Sequence, residues 1–168
     1  MTISSLAQCL EGTSHIIGDQ TFLMFDDLTM TFSEFDARAS RLANVFAAHG
    51  AKAGDVIGLY LPSRPELAFG YWACQKLGAV AAPVSSMNRS REVGAAVSRT
   101  EMKRIFVNEE TLPFALEVQR DSGRPETIFV TGGRPRARWM LTPSLQRPIR
   151  FAPLLHLLPL LRLRGLWQ

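Results

Sequence analysis

Residues 31–84 read TFSEFDARASRLANVFAAHGAKAGDVIGLYLPSRPELAFGYWACQKLGAVAAPV, and they set the fold class. Thr31 followed three residues later by Glu34 is a capping-box pattern, in which each side chain satisfies the other residue's backbone N–H. Phe35, Ala39, Leu42, Ala43 and Phe46 recur at helical spacing on one face, with Asp36, Arg38, Arg41 and Asn44 mostly on the other. His49-Gly50 ends this helix, and Lys52-Ala53-Gly54-Asp55 is a turn. Val56 to Leu61 is a nearly unbroken apolar run, which suits a strand covered on both faces of a parallel sheet. Ser63, Pro65 and Glu66 predict a second capped helix, with Leu67, Ala68, Tyr71, Trp72 and Leu77 as its apolar face and Gly78 as its stop. Ala79 to Val84 predicts a second buried strand. Strand, helix and strand at this spacing favour a right-handed parallel crossover.

Outward from this stretch, residues 3–11 suggest a short helix, with Ser14-His15 in a loop. Thr21–Phe25 and Leu28–Thr31 suggest two strands around an Asp26-Asp27 turn. The paired aspartates read as a hydrated turn, because no third carboxylate, His or Cys is in register with them. Ser14-His15 lacks the orienting third group that a nucleophilic site needs. Downstream, Ser85–Asn88 is a polar loop at the C-terminal end of a parallel strand, where ligands sit in open α/β sheets, yet a plain connection is the preferred reading. Arg89–Thr100 predicts a helix with Val93, Ala96 and Val97 inward. Lys103–Val107 is the next strand, and Asn108 or Thr111 caps a helix reaching about Arg120. Thr127–Thr131 is a further strand. Thr131-Gly132-Gly133 is its terminal turn, since no G-x-G-x-x-G and no helix pattern follow. The alternation predicts an α/β fold, a partial doubly wound, Rossmann-like sheet.

Four segments carry a family resemblance: T-F-S-E-F, R-L-A-N-V-F-A-A-H-G, G-D-V-I-G-L-Y-L-P-S-R-P-E and Q-K-L-G-A-V-A-A-P-V. In order and at this spacing, they resemble the N-terminal region of the AMP-forming adenylating enzymes, the AMP-dependent synthetase/ligase superfamily. Its members include acyl-CoA synthetases, peptide-synthetase adenylation domains and luciferases. The resemblance runs from about Thr21 to Gly133. It implies a carboxylic-acid activation chemistry that uses ATP and Mg2+, followed by thioester formation on CoA. It also implies a Ser/Thr/Gly-rich T-S-G-T-T-G-x-P-K-G loop, an acidic residue for Mg2+, an aspartate on the ribose and a lysine in a separate C-terminal domain. None of these motifs occurs in the 168 residues. No catalytic, cofactor-binding or metal residue is therefore carried over. The matched positions Thr31, Glu34, Gly54, Asp55, Pro62, Pro65, Glu66, Gly78 and Pro83 read as capping and turn chemistry. The expectation is a truncated acyl-CoA synthetase-like fragment, inactive alone, that binds no cofactor itself. Its partners would be a complementing ligase remainder or a second copy meeting it at an exposed sheet edge.

Composition divides the chain at Arg134. Overall it is globular, 46% hydrophobic and 20% charged. Residues 1–133 carry a partial N-terminal synthetase/ligase domain and a net charge of −3, whereas 134–168 carry seven arginines, five prolines and ten leucines with no Asp, Glu or Lys. The pI near 9.6 is thus a property of this tail. Four readings of it compete: polyanion or lipid contact through the arginines, membrane insertion, a disordered extension, or an out-of-frame or intron-derived translation. Insertion fails as a transmembrane segment, because Phe151–Leu161 is 11 residues long and broken by Pro153 and Pro159. The abrupt change, where the resemblance also stops, favours the out-of-frame or intron reading. A non-catalytic module that uses the tail for polyanion or membrane contact is the alternative, with no specific nucleic acid indicated. Cys9 and Cys74 form neither a zinc pattern nor a disulfide framework, and no secretory signal precedes the domain, which together suggest the cytoplasm.

Overall fold

Strands β3 (Val56–Tyr60), β4 (Val80–Val84), β5 (Arg104–Asn108) and β6 (Thr127–Thr131) pair in parallel in the order β4-β3-β5-β6. In this computed structural model the described residues are 6–132, with the backbone of two short strands at 140–142 and 145–149. The expectations for the tail beyond Gly133 otherwise lie outside the described residues. Helices α1 (Leu6–Ile17), α2 (Phe32–Ala48), α3 (Pro65–Leu77), α4 (Ser90–Thr100) and α5 (Leu112–Ser122) surround the sheet. An antiparallel hairpin of β1 (Thr21–Phe25) and β2 (Leu28–Thr31) leads into α2. Strands β7 (Met140–Thr142) and β8 (Leu145–Ile149) form a separate antiparallel pair.

The alternation of side chains along the strands builds two cores. Ile57, Leu59 and Leu61, with Phe106 and Phe129, pack against α2 and α3 through Phe35, Leu42, Phe46, Phe69 and Ala73. Tyr60, Ile105, Val107 and Ile128 face the other way, toward Val93 and Val97 of α4 and Ala115 and Val118 of α5. Phe35 and Phe46 have no exposed surface, and burial of each is worth about 2–3 kcal/mol. The strand order reverses after β4: α3 carries the chain to one side of β3, and α4 then carries it back across to β5. This is a doubly wound α/β layer, as the sequence pattern predicts.

Local chemistry explains most element ends. The Thr31–Glu34 capping box is present, with the Thr31 N–H donating to Glu34 Oε2 at 2.9 Å and the Glu34 N–H to Thr31 Oγ1 at 3.2 Å. Gly54 and Gly78 sit at φ 82° and 69°, where a side chain would be strained. Arg104, at the start of β5, reaches the open carbonyls of α2: its Nη2 donates to Gly50 O at 2.6 Å and its Nη1 to Asp55 Oδ2 at 2.9 Å. One cation thus ties the end of α2, the turn before β3 and the start of β5 together.

Four expectations are corrected. First, α1 runs to Ile17, so Ser14 and His15 lie in its last turns. There the Ser14 hydroxyl donates to Glu11 O at 2.8 Å, a bond that the helix itself supplies. Second, Ser63 does not cap α3. Arg64 is the N-cap, without a side-chain bond, because Pro65 takes the first helical position. Third, the most buried face of α3 is Phe69, Gly70, Ala73 and Cys74. Leu67, Ala68, Trp72 and Leu77 flank it, and Tyr71 is exposed. The cause is Gly70, whose lack of a side chain lets α3 settle on Leu59 and Phe106; a Cβ there would stand 2.9 Å from Leu59 Cδ2. Fourth, β4 is an edge strand with Val80 half-exposed, not a strand buried on both faces. Pro83 is tolerated there because an edge residue can point its missing N–H away from the ladder.

Lys76 of α3 is almost wholly buried and bonds Glu11 of α1 at 2.6 Å and Asp36 of α2 at 2.8 Å. Burial alone would lower its pKa. The hydrogen bonds and charges of Asp36 and Glu11 outweigh this and hold it above the ordinary 10.5. Cys74 beside it is buried in apolar surroundings, which pushes its thiol up to about 12, so it stays protonated and inert.

Three substitutions test this packing. Gly70→Val should cost about 2–3 kcal/mol in urea unfolding, through overpacking against Leu59 and Phe106. Gly94→Ala, where a Cβ meets nothing nearer than 3.8 Å, should stabilise by about 0.5–1 kcal/mol. Lys76→Met should cost about 2 kcal/mol at neutral pH, because two carboxylates lose their cation. A raised lysine pKa stabilises the fold below the unfolded value and ceases to do so as pH rises through the folded one. The gap between wild type and Lys76→Met should therefore close at pH values above 10.5. A gap constant to high pH would show that the ion pairs contribute nothing.

Candidate functional site

In an open α/β sheet the crevice lies at the C-terminal ends of the strands where the order reverses, here between β3 and β5. A cleft of about 250 Å³ occupies this position. Leu61, Pro62 and Arg64 line it from the β3–α3 connection and Glu66 from the first turn of α3, Asn108 from the end of β5 and Glu109 and Glu110 from the connection after it, and Thr131 and Gly132 from the end of β6.

Each connection is held by its own bonds. The Arg64 N–H donates to Pro62 O at 2.8 Å, and Arg64 is extended before Pro65 starts the helix. Asn108 and Thr111 bond reciprocally: the Thr111 N–H donates to Asn108 Oδ1 at 3.1 Å, and the Asn108 N–H to Thr111 Oγ1 at 3.2 Å. The Thr111 hydroxyl also donates to Tyr60 O at 2.8 Å, which locks the start of α5 onto the end of β3. Thr111 is thus the N-cap by position, while the Asn108 carboxamide takes its N–H. Glu109 and Glu110 stand exposed on this rigid turn. Arg64 Nη2 lies 3.7 Å from Glu110 Oε1, a loose ion pair between the two connections.

A smaller cavity adjoins, lined by Arg38, Arg41, Leu42, Glu66, Phe69, Phe106 and Thr131. Glu66 and Thr131 line both spaces. Thr131 is 3% exposed, and its Oγ1 has no hydrogen-bond partner among the described residues; nor has Arg38 Nη1. The Arg38 guanidinium lies 5.9 Å from the centre of the Phe69 ring.

Most of the matched sequence positions do what capping and turn chemistry requires. Asp55 accepts the Lys52 N–H at 2.9 Å, and Pro65 opens α3. Glu66 and Pro62, however, also face the cleft. In the Ser85–Asn88 connection Ser85 Oγ accepts the Met87 N–H at 3.3 Å, and Asn88 O accepts the Tyr60 hydroxyl at 2.5 Å. Burial raises the Tyr60 pKa, partly countered by the charge of Arg89. Sequence reasoning missed Glu109, Glu110 and Thr131 as site residues. Thr131 lies one helix downstream of Glu109 and Glu110, and only the pairing of β5 with β6 brings it beside them. Their one signal in sequence is position, at or just past the C-terminal ends of apolar strands.

The lining does not suit a triphosphate or the phosphates of CoA. It offers three carboxylates against one arginine, and like charges would repel the ligand. Among the described residues no group of His, Cys, Asp and Glu is placed to hold a metal ion that would reverse this. Nor is any helix among them long and apolar enough to cross a membrane.

Known proteins resemble this chain over most of the described fold. An acetyl-coenzyme A synthetase of Beijerinckia indica is 40% identical over 78 residues, 43% of this chain and 12% of that protein. A 3-hydroxybenzoate/4-hydroxybenzoate CoA ligase of Thauera aromatica is 25% identical over 116 residues, 69% of this chain and 22% of the ligase. The anthranilate CoA ligase AuaEII, solved in complex with anthranoyl-AMP, superposes on 79% of this chain with a TM-score of 0.73 at 22% identity, and the match covers 26% of that structure. This chain therefore spans between an eighth and about a quarter of the length of these proteins. The family model described as AMP-binding enzyme matches residues 14–149, past the composition break at Arg134. The chain belongs to the AMP-binding enzyme family, and its α/β layer is the N-terminal part of that fold.

Proposed function

We propose that residues 6–132 form the N-terminal layer of an acyl-CoA synthetase-like ligase. Such a ligase activates a carboxylic acid with ATP and Mg2+ as an acyl-adenylate, then passes the acyl group to CoA. The family match over residues 14–149 carries this reading. The names of the relatives, acetate and hydroxybenzoate CoA ligases, support the reaction class and leave the acid open.

Within the 168 residues the layer acts as scaffold rather than as catalyst. The Ser/Thr/Gly-rich loop that the family resemblance implies is not in them, and the described cleft is acidic where a nucleotide would need positive charge. The adenylation machinery would come from a complementing ligase remainder docked on this layer, with self-association at a sheet edge as the competing fate. The two cysteines, far apart in the chain and free, support a cytoplasmic setting.

An ATP–pyrophosphate exchange assay on the purified 168-residue chain should give no acid-dependent signal with acetate, benzoate, anthranilate or a fatty acid. Co-expression with the remainder of a related ligase should restore exchange. Exchange by the chain alone would overturn the scaffold reading. No exchange with any remainder, despite co-purification, would count against the ligase reading.

A further inference from the structure

The acidic cleft at the strand ends has a chemistry that adenylation does not use. Glu66, Glu109 and Glu110 face it with Arg64 as the one cation, a net charge of −2 on the lining. The N-termini of α3 and α5 open beside it and contribute about half a positive charge each, so the cleft stays negative. Arg64 does not neutralise it further, since its contact with Glu110 is 3.7 Å long and both side chains are more than half exposed. The second observation is Thr131. It occupies the same face of β6 as the buried Phe129, is 3% exposed, lines the cleft, and has an Oγ1 without a partner among the described residues. A buried hydroxyl left unpaired costs about 1–3 kcal/mol, and a ligand N–H would relieve it.

We propose that this cleft binds an organic cation, an alkylammonium or guanidinium group, held by the Glu66, Glu109 and Glu110 carboxylates with Thr131 Oγ1 as a neutral acceptor. A metal ion does not fit, because the acidic side chains are not placed to converge on one centre. A planar or extended cation with several N–H donors matches carboxylates spread over two connections, and Asn108 adds a neutral polar group between them. The volume of about 250 Å³ admits such a head group with part of its chain. This inference goes beyond the ligase reading and does not rest on it.

The test is an amide chemical-shift titration of the whole chain, without ATP or acid. The probes are agmatine as a free cation, a blocked Gly-Arg-Gly peptide as the side-chain form, and pyrophosphate as the anionic control. Agmatine or the peptide should shift the amides of Glu66, Glu109, Glu110, Thr131 and Gly132 saturably and more weakly at higher salt. The tighter of the two identifies the source of the cation. The Glu109→Gln/Glu110→Gln double variant should bind about tenfold more weakly at an unchanged melting temperature, since both side chains are exposed. Thr131→Val should weaken binding without unfolding the chain. Saturation by pyrophosphate in place of the cations, cation shifts that the double variant leaves intact, or no saturation by either cation up to about 10 mM would each overturn the proposal.

Discussion

Burial of one parallel sheet on both faces is the constraint on which the rest of this structure depends. The central strands β3 and β5 contribute Leu59 and Phe106 to one core and Tyr60, Ile105 and Val107 to the other. Neither face can be left to water, so helices must cover both, and the chain must cross the sheet between β4 and β5. That crossing creates the reversal in strand order, and the reversal creates the crevice. The cleft is therefore a consequence of satisfying two hydrophobic faces with one short chain.

Its geometry is then set by a few polar contacts that bridge elements far apart in sequence. Thr111 fastens the start of α5 to the Tyr60 carbonyl, while Arg104 fastens the end of α2 to the opposite end of the sheet. Lys76 joins three helices through two carboxylates. Each of these groups is paired, so the scaffold stores little electrostatic imbalance. Among the described residues the buried side-chain atoms without a hydrogen bond are Thr131 Oγ1 and Arg38 Nη1, around adjoining spaces, and Asp36 Oδ1, which pairs ionically with Lys76 instead; at the cleft itself three carboxylates face one exposed arginine. Of these three atoms Thr131 Oγ1 alone belongs to the lining of the cleft at the strand ends and has neither a hydrogen bond nor an ion pair.

Much of the fold was legible in the residues. The Thr31–Glu34 box, the Gly78 stop and the apolar runs at Val56, Ile105 and Ile128 are local signals, and the structure follows them. Local reasoning failed where a partner decides. The buried face of α3 cannot be read from its hydrophobic residues, because Gly70, which is not one of them, lets the helix approach the sheet. The edge position of β4 depends on the order of strands, which composition does not encode. Glu109 and Glu110 look like ordinary turn residues until β3 and β6 are set beside them. Thr131 looks like the end of a strand.

The sign of the charge at the crevice bears on how such a layer divides labour with the rest of an AMP-binding enzyme. Two helix N-termini beside one cleft would by themselves favour an anion, as such termini commonly do. Here Glu66 lies in the first turn of α3, whereas the first turn of α5 holds no acidic residue and Glu109 and Glu110 lie just before its N-cap, Thr111. Together the three carboxylates offset the attraction of the two helix ends for phosphate. A phosphate ligand at this crevice would need positive charge from other segments, because three carboxylates line it against one arginine.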